Sequence, residues 1–472
     1  MRFIDRQAEM QRLDALAGRA EGGLAVIWGR RRIGKTRLLL EWCRKHEGLY
    51  AVADQSAPAV QRAYLAQALS VRFPMLGEAT YPDWPSLLRR IAHEAQAAAW
   101  RGPLVFDEFP YWVGASAELA SQFQRWIDGE ARRARLCVAV AGSSQRMMQG
   151  LALDASAPLY GRAAELMEIG PLKAGFLGDG LKIADFVLCV RSYAVWGGVP
   201  RYWELVEPYG ADLDQAVDRC ILDPLGPLHR EPDRLLLEEL PPAAACRPIL
   251  DVIGMGAHRL SEIAGRLGKP ATSLTRALSR LVDLGLVTRE QPYGESEKSG
   301  KRSLYKIADP LFRCWFGAVA SHRALLAQAS PAVRLRLWHD VRQPLFAEAW
   351  EVLCRQAIAR IHEGRSPLAR YGPWRPAARY WRGNEPEWDI VAESLNGEQL
   401  LLGEVKWADK PTSERTLQKA IQELKAKGIP ANLRRKKPQI VHAVFVPRVL
   451  SRRTNRQKTV IIEARDVLSC LR

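Results

Sequence analysis

Eight residues constrain this chain more than any others: Gly29-Arg30-Arg31-Arg32-Ile33-Gly34-Lys35-Thr36. They follow the apolar run Leu24-Ala25-Val26-Ile27-Trp28 and precede a helical pattern carried by Leu38, Leu39 and Trp42. A strand, a glycine-bearing turn and a helix start, in that order, curl backbone N–H groups round one point, which is the geometry of a phosphate cradle. The spacing G-x-x-x-x-G-K-[ST] adds a lysine that reaches the outer phosphates and a hydroxyl that ligates Mg2+. Lys35 and Thr36 take those roles. Gly29, Arg30, Arg31, Arg32, Ile33, Gly34 and Arg37 complete the nucleotide-binding stretch, with the three arginines adding charge of their own. A chance Gly/Lys turn is the bland alternative, and the flanking strand and helix weigh against it.

Such a loop needs an acidic strand end as its partner. Pro103-Leu104-Val105-Phe106-Asp107-Glu108 supplies it, with Asp107 expected to hold the Mg2+ through water and Glu108 to polarise the attacking water. Two adjacent acids ending an apolar strand are awkward for plain core, because both charges need partners. Further strand-like runs at Leu49–Ala53, Leu136–Ala141 and Leu166–Ile169 alternate with helical patterns, the signature of a parallel α/β sheet. The run between the two motifs sets the chain apart from the kinase/GTPase group. At the tip of Leu136–Ala141, Ser143 or Ser144 either senses the γ-phosphate or caps the next helix. Arg162, in Pro158-Leu159-Tyr160-Gly161-Arg162, is read as an arginine finger or γ-phosphate sensor, with an ordinary surface arginine as the alternative. Acting in trans it implies a homo-oligomer; acting in cis it does not.

The nucleotide unit leaves most of the 472 residues unexplained. Single cores seldom grow past roughly 250 residues, so two to four domains are expected. No run of about 18 apolar residues exists, which argues against a membrane span. The opening Met1-Arg2-Phe3-Ile4-Asp5-Arg6 lacks the apolar core of a signal peptide, and eight scattered cysteines contain no Cys-x-x-Cys pair. Zinc and disulfides are therefore not expected, and a reducing cytoplasm is. The formal charge is +17, and from Leu401 to Arg472 there are 17 Lys/Arg against 6 Asp/Glu, a local +11. That density is the footprint of a polyanion such as DNA, or of a basic solvated surface.

Between 245 and 310 the pattern is three short helices and a hairpin. Leu260–Leu267 opens with Ser261 as the expected cap, a turn at Lys269–Thr272 follows, and the next helix buries Leu274, Leu278, Leu281 and Val282. Ser273, Thr275, Arg276, Ser279 and Arg280 face outward, and a wing from Arg289 to Tyr305 carries Lys298, Lys301 and Arg302. Helix, turn, helix and strand in this order make a winged helix-turn-helix, which docks on DNA or on protein.

Late in the chain, Trp388–Leu395 and Glu398–Lys406 flank Asn396-Gly397, the strongest two-residue type I′ hairpin signal. Opposed positions then sum to 793, so Asp389 faces Glu404 and Glu387 faces Lys406. Cβ atoms of such pairs lie about 4.5–5.5 Å apart, and two opposed carboxylates repel unless a cation such as Mg2+ lies between them. Lys406, on the same face, stabilises developing charge or positions a water. Trp388 and Val405 are expected to share the other, apolar face. A surface hairpin with Glu/Lys pairs is the alternative.

Asp, then Glu-x-Lys at a hairpin end, resembles the signature of restriction-endonuclease-like nucleases. That resemblance implies metal-dependent phosphodiester cleavage, with Glu351 on the helix Phe346–Cys354 as a third acid. Phe3–Arg6, Gly29–Thr36, Phe106–Glu108, Pro158–Arg162 and Gly197-Gly198-Val199-Pro200 together resemble the archaeal-type ATPases, an AAA+/STAND-related group with a helical lid. This implies ATP rather than GTP, with Gly197–Arg201 in the lid. Tyr305–Pro310, Trp350–Cys354, Glu387–Asp389 and Gly403–Trp407 resemble the domain of unknown function that often follows that core. The expected fold is multidomain α/β: a P-loop NTPase parallel sheet at 1–170, a helical lid at 171–240, a winged helix-turn-helix at 241–310 and a restriction-endonuclease-like α/β domain at 311–472. The expected function is ATP hydrolysis coupled to DNA binding and cleavage. Its rivals are an ATP-gated DNA-binding protein with an inactive nuclease-like domain, and a signalling scaffold without DNA.

Overall fold

The computed structural model describes residues 2–143, 145–240, 246–296, 302–361, 366–436, 438–450 and 459–472. They divide into two compact units, one made of Asp5–Leu172 with Val199–Arg201 and the other chiefly of Lys173–Gly198 and Tyr202–Arg472. The boundary after Leu172 lies beside the expected 170. The segments expected as lid, helix-turn-helix and C-terminal domain fall together in the second unit, while Val199–Arg201 group with the first. Ser144, Lys298 and Lys301 lie outside the described residues.

In the first unit every expected strand forms: β1 Gly23–Trp28, β2 Leu49–Val52, β3 Pro103–Asp107, β4 Cys137–Gly142 and β5 Ala163–Glu168. All pair in parallel, in the order β2-β3-β4-β1-β5. β3 and β4 are buried along their whole length, as strands covered by helices on both faces must be, which is why they read as unbroken apolar runs. β5 is an edge strand whose burial is incomplete. Because β4 separates β1 from β3, the loop after β1 and the acids after β3 flank the tip of β4. Phe106 on β3 packs with Phe109, Trp112, Phe123 and Trp126, and the Phe109–Phe123 centroids are 4.7 Å apart. This cluster pins the chain leaving β3 to the core.

The second unit contains three helices, Arg247–Gly254, Leu260–Leu267 and Ala271–Asp283, followed by the antiparallel pair β6 Val287–Glu290 and β7 Leu304–Ile307. Leu274, Leu278 and Leu281 are buried, while Ser273, Thr275, Arg276 and Ser279 are exposed. Arg280 and Val282 are half-buried. Gly285 adopts φ 65° and lets Leu286 N–H reach back 3.0 Å to the Leu281 carbonyl, closing the helix before β6. Ser261 is not the cap of Leu260–Leu267. Glu262 does that work, accepting from the backbone N–H groups of His258 (3.2 Å) and Arg259 (3.1 Å).

A mixed sheet completes this unit: β8 Ala378–Tyr380, β9 Trp388–Glu393, β10 Gln399–Val405, β11 Gln439–Phe445 and β12 Val460–Ile462, in the order β12-β11-β10-β9-β8. β8, β9 and β10 pair antiparallel, and β10, β11 and β12 parallel. The helix Glu414–Ala426 lies between β10 and β11 in sequence and buries Ala420, Ile421 and Leu424. The expected helix Phe346–Cys354 is part of a longer one, Pro331–Ile358. Its first half is tied by Arg334 to Asp218 (2.6 and 3.0 Å) and by Trp338 Nε1 to Asp214 (2.8 Å).

The hairpin register is as expected: Leu400 pairs with Glu393, Leu401 with Ala392, Leu402 with Val391 and Gly403 with Ile390. The turn differs. Asn396 is not left-handed, Gly397 is (φ 74°), and Gly397 N–H donates to the Ser394 carbonyl at 3.0 Å. Asn396 works through its side chain, accepting from Ser394 Oγ and Glu398 N–H. The loop is thus four residues, but 395/398 and 394/399 carry the same sum as 396/397, so the register is unchanged. Trp388 also differs from expectation. A register shift between Ala378 and Tyr380 lets it join Val391, Leu400 and Leu402 in one cluster, where strict alternation had put it with Val405. Its ring meets Tyr380 edge-on at 5.5 Å. Trp388→Ala is expected to destabilise this unit by about 3–5 kcal/mol in urea unfolding. A loss below about 1 kcal/mol would contradict this packing.

Candidate functional site

The nucleotide loop is shaped by its neighbours in the sheet. Gly29 has φ 148°, and a Cβ there would lie 2.4 Å from the Ile169 carbonyl oxygen. The turn continues through Arg32 (φ 67°) and Gly34 (φ 92°), whose left-handed conformations on either side of Ile33 help aim N–H groups inward. Arg32 does so without being glycine, a strained position of the kind found at ligand sites. Arg6, buried and itself at φ 69°, donates to the carbonyls of Ile33 (2.9 Å) and Gly170 (2.6 Å) and holds the loop against the end of β5. The Ile33 side chain is core, so its part in the loop is through its backbone.

Lys35 Nζ donates to the carbonyls of Gly29 (2.7 Å) and Arg30 (3.2 Å) and to Ser143 Oγ (3.1 Å). Thr36 Oγ1 donates to Asp107 Oδ2 at 2.7 Å, and Tyr50 OH reaches the same oxygen at 2.7 Å. Burial, then the Asp107 carboxylate, push the Tyr50 hydroxyl pKa well up and keep it a donor. Glu108 sits at φ 50°, and its carboxylate accepts from Ser143 N–H (3.2 Å) and Ser143 Oγ. Ser143 therefore stands between the lysine and the acid.

Other expected members lie differently. Arg31 donates to Tyr111 OH. Arg37 pairs with Glu41 one helical turn on, at 2.9 Å. Arg162 pairs with Asp128 at 2.9 Å and also donates to the Pro158 carbonyl at 3.1 Å. Arg6, Tyr50 and Tyr111 were not assigned from sequence. Nothing local marks a buried arginine before a helix or a tyrosine on a neighbouring strand.

The second cluster lies where β9 and β10 begin to diverge. Continuing their register one step sets Asp389 opposite Glu404. Asp389 Oδ2 accepts from Val405 N–H at 2.9 Å. Burial, then the facing Glu404 carboxylate, raise the Asp389 carboxyl to about 6. Glu404 is buried and carries an ammonium on each oxygen: Lys406 Nζ on Oε1 at 2.8 Å, and Lys427 Nζ on Oε2. Lys427, just past the helix Glu414–Ala426, was not foreseen. Burial alone would lower the Lys406 pKa, and its hydrogen bond to Glu404 more than offsets that.

Glu351 pairs with Arg355 (3.4 Å), which also donates to the Asp389 carbonyl (3.4 Å) and meets Glu290 of β6 (3.6 Å). Glu387 pairs with Arg379 at 3.2 Å instead of Lys406, since β9 starts only at Trp388. Among the described residues, no group of three or more His, Cys, Asp and Glu side chains is arranged to hold a metal ion. The expected triad of Glu351, Asp389 and Glu404 is therefore not assembled as a three-ligand site, because Arg355 takes Glu351 and two lysines take Glu404.

All eight cysteines are buried. Among the described residues, no helix is long and apolar enough to cross a membrane.

Residues 3–186 match a family described as an ATPase domain predominantly from Archaea, and residues 315–421 match one described as archaeal and bacterial proteins of unknown function. The uncharacterized protein MJECL04 of Methanocaldococcus jannaschii is 26% identical over 423 residues, covering 89% of this chain and 91% of that one. Among solved structures, the Walker-type ATPase paby2304 of Pyrococcus abyssi superposes with a TM-score of 0.51 at 19% identity, over 66% of this chain and 96% of that one. The first unit thus has the parallel-sheet fold of a P-loop ATPase, and the two family matches, to an ATPase domain and to proteins without assigned function, each cover less than half of the chain.

The raised Asp389 pKa has a consequence for stability. An ordinary aspartate titrates near 3.9, so the folded protein holds this proton more tightly than the unfolded chain. In metal-free buffer the contribution is full below about pH 4 and is lost as the pH rises towards 6. Asp389→Asn is expected to remove this part of the pH dependence, so the variant melts above wild type at pH 7 and the difference shrinks at pH 4. A constant difference across that range would show that Asp389 is not perturbed.

Proposed function

We propose that this protein binds and hydrolyses ATP, couples its nucleotide state to DNA, and uses Asp389, Glu404 and Lys406 as a metal-dependent phosphodiester site. The contact of Thr36 Oγ1 with Asp107 Oδ2 at 2.7 Å carries the ATPase half, because it joins the hydroxyl after the loop to the strand-end carboxylate. Lys35 would hold the outer phosphates, Thr36 and Asp107 the Mg2+, and Glu108 would orient the attacking water. A hydroxyl beside a carboxylate is an oxygen donor pair suited to Mg2+, which when bound offsets phosphate charge. Ser143, shared between Lys35 and Glu108, would link phosphate sensing to the water-orienting acid.

The second half rests on the carboxylate pair. Two opposed acids, one with its pKa raised by burial and then by the other's charge, suit a hard cation, and Mg2+ commonly takes only one or two protein carboxylates, its remaining ligands being water and phosphate. Asp389 and Glu404 would hold it, and it would polarise a phosphodiester for attack by water. Lys406 would face the developing charge. The three helices with β6 and β7 fit a winged helix-turn-helix, whose exposed Ser273, Thr275, Arg276 and Ser279 would meet DNA. The +11 after Leu401 suits the same polyanion.

One observation favours a second reading. Both oxygens of Glu404 are engaged by lysines, as in an ATP-gated DNA-binding protein that does not cleave. Lys35→Ala is expected to reduce ATP hydrolysis at least about 100-fold, and a wild-type rate would refute the ATPase assignment. Asp389→Ala is expected to abolish Mg2+-dependent nicking while leaving DNA affinity nearly unchanged. Wild-type protein that binds DNA yet never nicks it in Mg2+ or Mn2+ would establish the second reading.

A further inference from the structure

Glu404 has one charge and two ammonium partners. Lys406 comes from its own strand and is part of the Glu-x-Lys pattern. Lys427 comes from elsewhere, capping the helix Glu414–Ala426, and is three-quarters buried with its Nζ on Glu404 Oε2. A cation at a helix C-terminus is favourable in itself, and one ammonium would satisfy a buried carboxylate. With Asp389 facing Glu404, the two ammoniums balance the two carboxylates, so a divalent cation seated on the pair would leave an ammonium without its anion. Lys406 has a second acid within reach, Glu423 at 3.8 Å, so the group drawn specifically to Glu404 from outside the strand is Lys427.

We propose that Lys427 is a second phosphate-contacting residue of this site, held on Glu404 in the metal-free protein and released to a non-bridging oxygen of a DNA phosphodiester when a divalent cation takes Glu404. The proposal rests on the phosphodiester reading of Asp389 and Glu404. No proton moves and no bond breaks at Lys427; its ammonium exchanges one anion for another. It lies beyond the three-residue strand pattern and supplies a cation from the end of the helix that follows β10 in sequence.

Two binding measurements on the full chain without nucleotide test it: Mg2+ affinity by calorimetry, and the salt dependence of binding to a short fluorescent duplex in Ca2+. Lys427→Met is expected to bind Mg2+ about 3–10-fold more tightly, since one ammonium fewer then has to leave Glu404. The same variant should bind the duplex more weakly, with its log–log salt slope shallower by about 0.9 between about 50 and 200 mM salt. Lys427→Arg should keep the wild-type slope, and melting in EDTA shows whether each variant is folded. Unchanged or weaker Mg2+ binding with an unchanged slope would reduce Lys427 to a helix-end ion pair. Wild type that binds Mg2+, Asp389→Asn that does not, and Lys427→Met that matches wild type in both measurements would overturn the assignment of Lys427 alone. Equal absence of Mg2+ binding in wild type and Asp389→Asn would overturn the phosphodiester reading and this proposal together.

Discussion

β1 lies buried between β4 and β5, and the carbonyl of Ile169 just beyond β5 closes on Gly29 so tightly that only glycine fits. From that contact the chain must turn sharply, through Arg32 and Gly34 in left-handed conformations, before Lys35 begins its helix. Arg6 clamps the same corner by bridging the Ile33 and Gly170 carbonyls. The shape of the nucleotide loop is therefore a consequence of lateral packing in the sheet. The strand order does the rest: β4 between β1 and β3 brings Ser143 within reach of both Lys35 and Glu108.

In the second unit a network of half-buried charges links the elements. Glu290 on β6 meets Lys306 (3.2 Å), Arg355 (3.6 Å) and Arg379 (3.4 Å). Arg355 in turn meets Glu351 and the Asp389 carbonyl, and Arg379 meets Glu387. Glu290, Arg355 and Arg379 are half-buried, so removing one of them leaves its partners' charges unbalanced where water screens them only in part. This network joins the helix–hairpin segment to the mixed sheet, which accounts for their falling into one compact unit. It also carries a continuous set of contacts from β6 to the neighbourhood of Asp389 and Glu404.

Legibility from sequence followed the range of the interactions. The loop, its strand and its helix are contiguous, so their burial pattern and glycine spacing were readable. Asp107 and Glu108 were readable because two acids ending an apolar strand are conspicuous. The pairing of Asp389 with Glu404 was readable although the turn was not, since loops of two and four residues centred on Asn396-Gly397 give the same register. Tyr50 was not readable, because only the placement of β2 beside β3 brings its hydroxyl to Asp107. Arg162 carried a motif but finds Asp128, a partner 34 residues away that no local pattern identifies.

The amino-acid sequence by itself determined the parallel sheet, the phosphate loop, the three short helices with their strand pair and the opposed carboxylates, because each depends on periodicity and spacing along one or two neighbouring elements. Only the tertiary structure decided how the charged groups are shared. Lys427 rather than Lys406 alone holds Glu404, Arg355 rather than a common site holds Glu351, and Ser143 joins Lys35 to Glu108. Ion pairs form between whichever side chains the packing of distant elements brings within a few ångströms, and that distance is not written in local sequence.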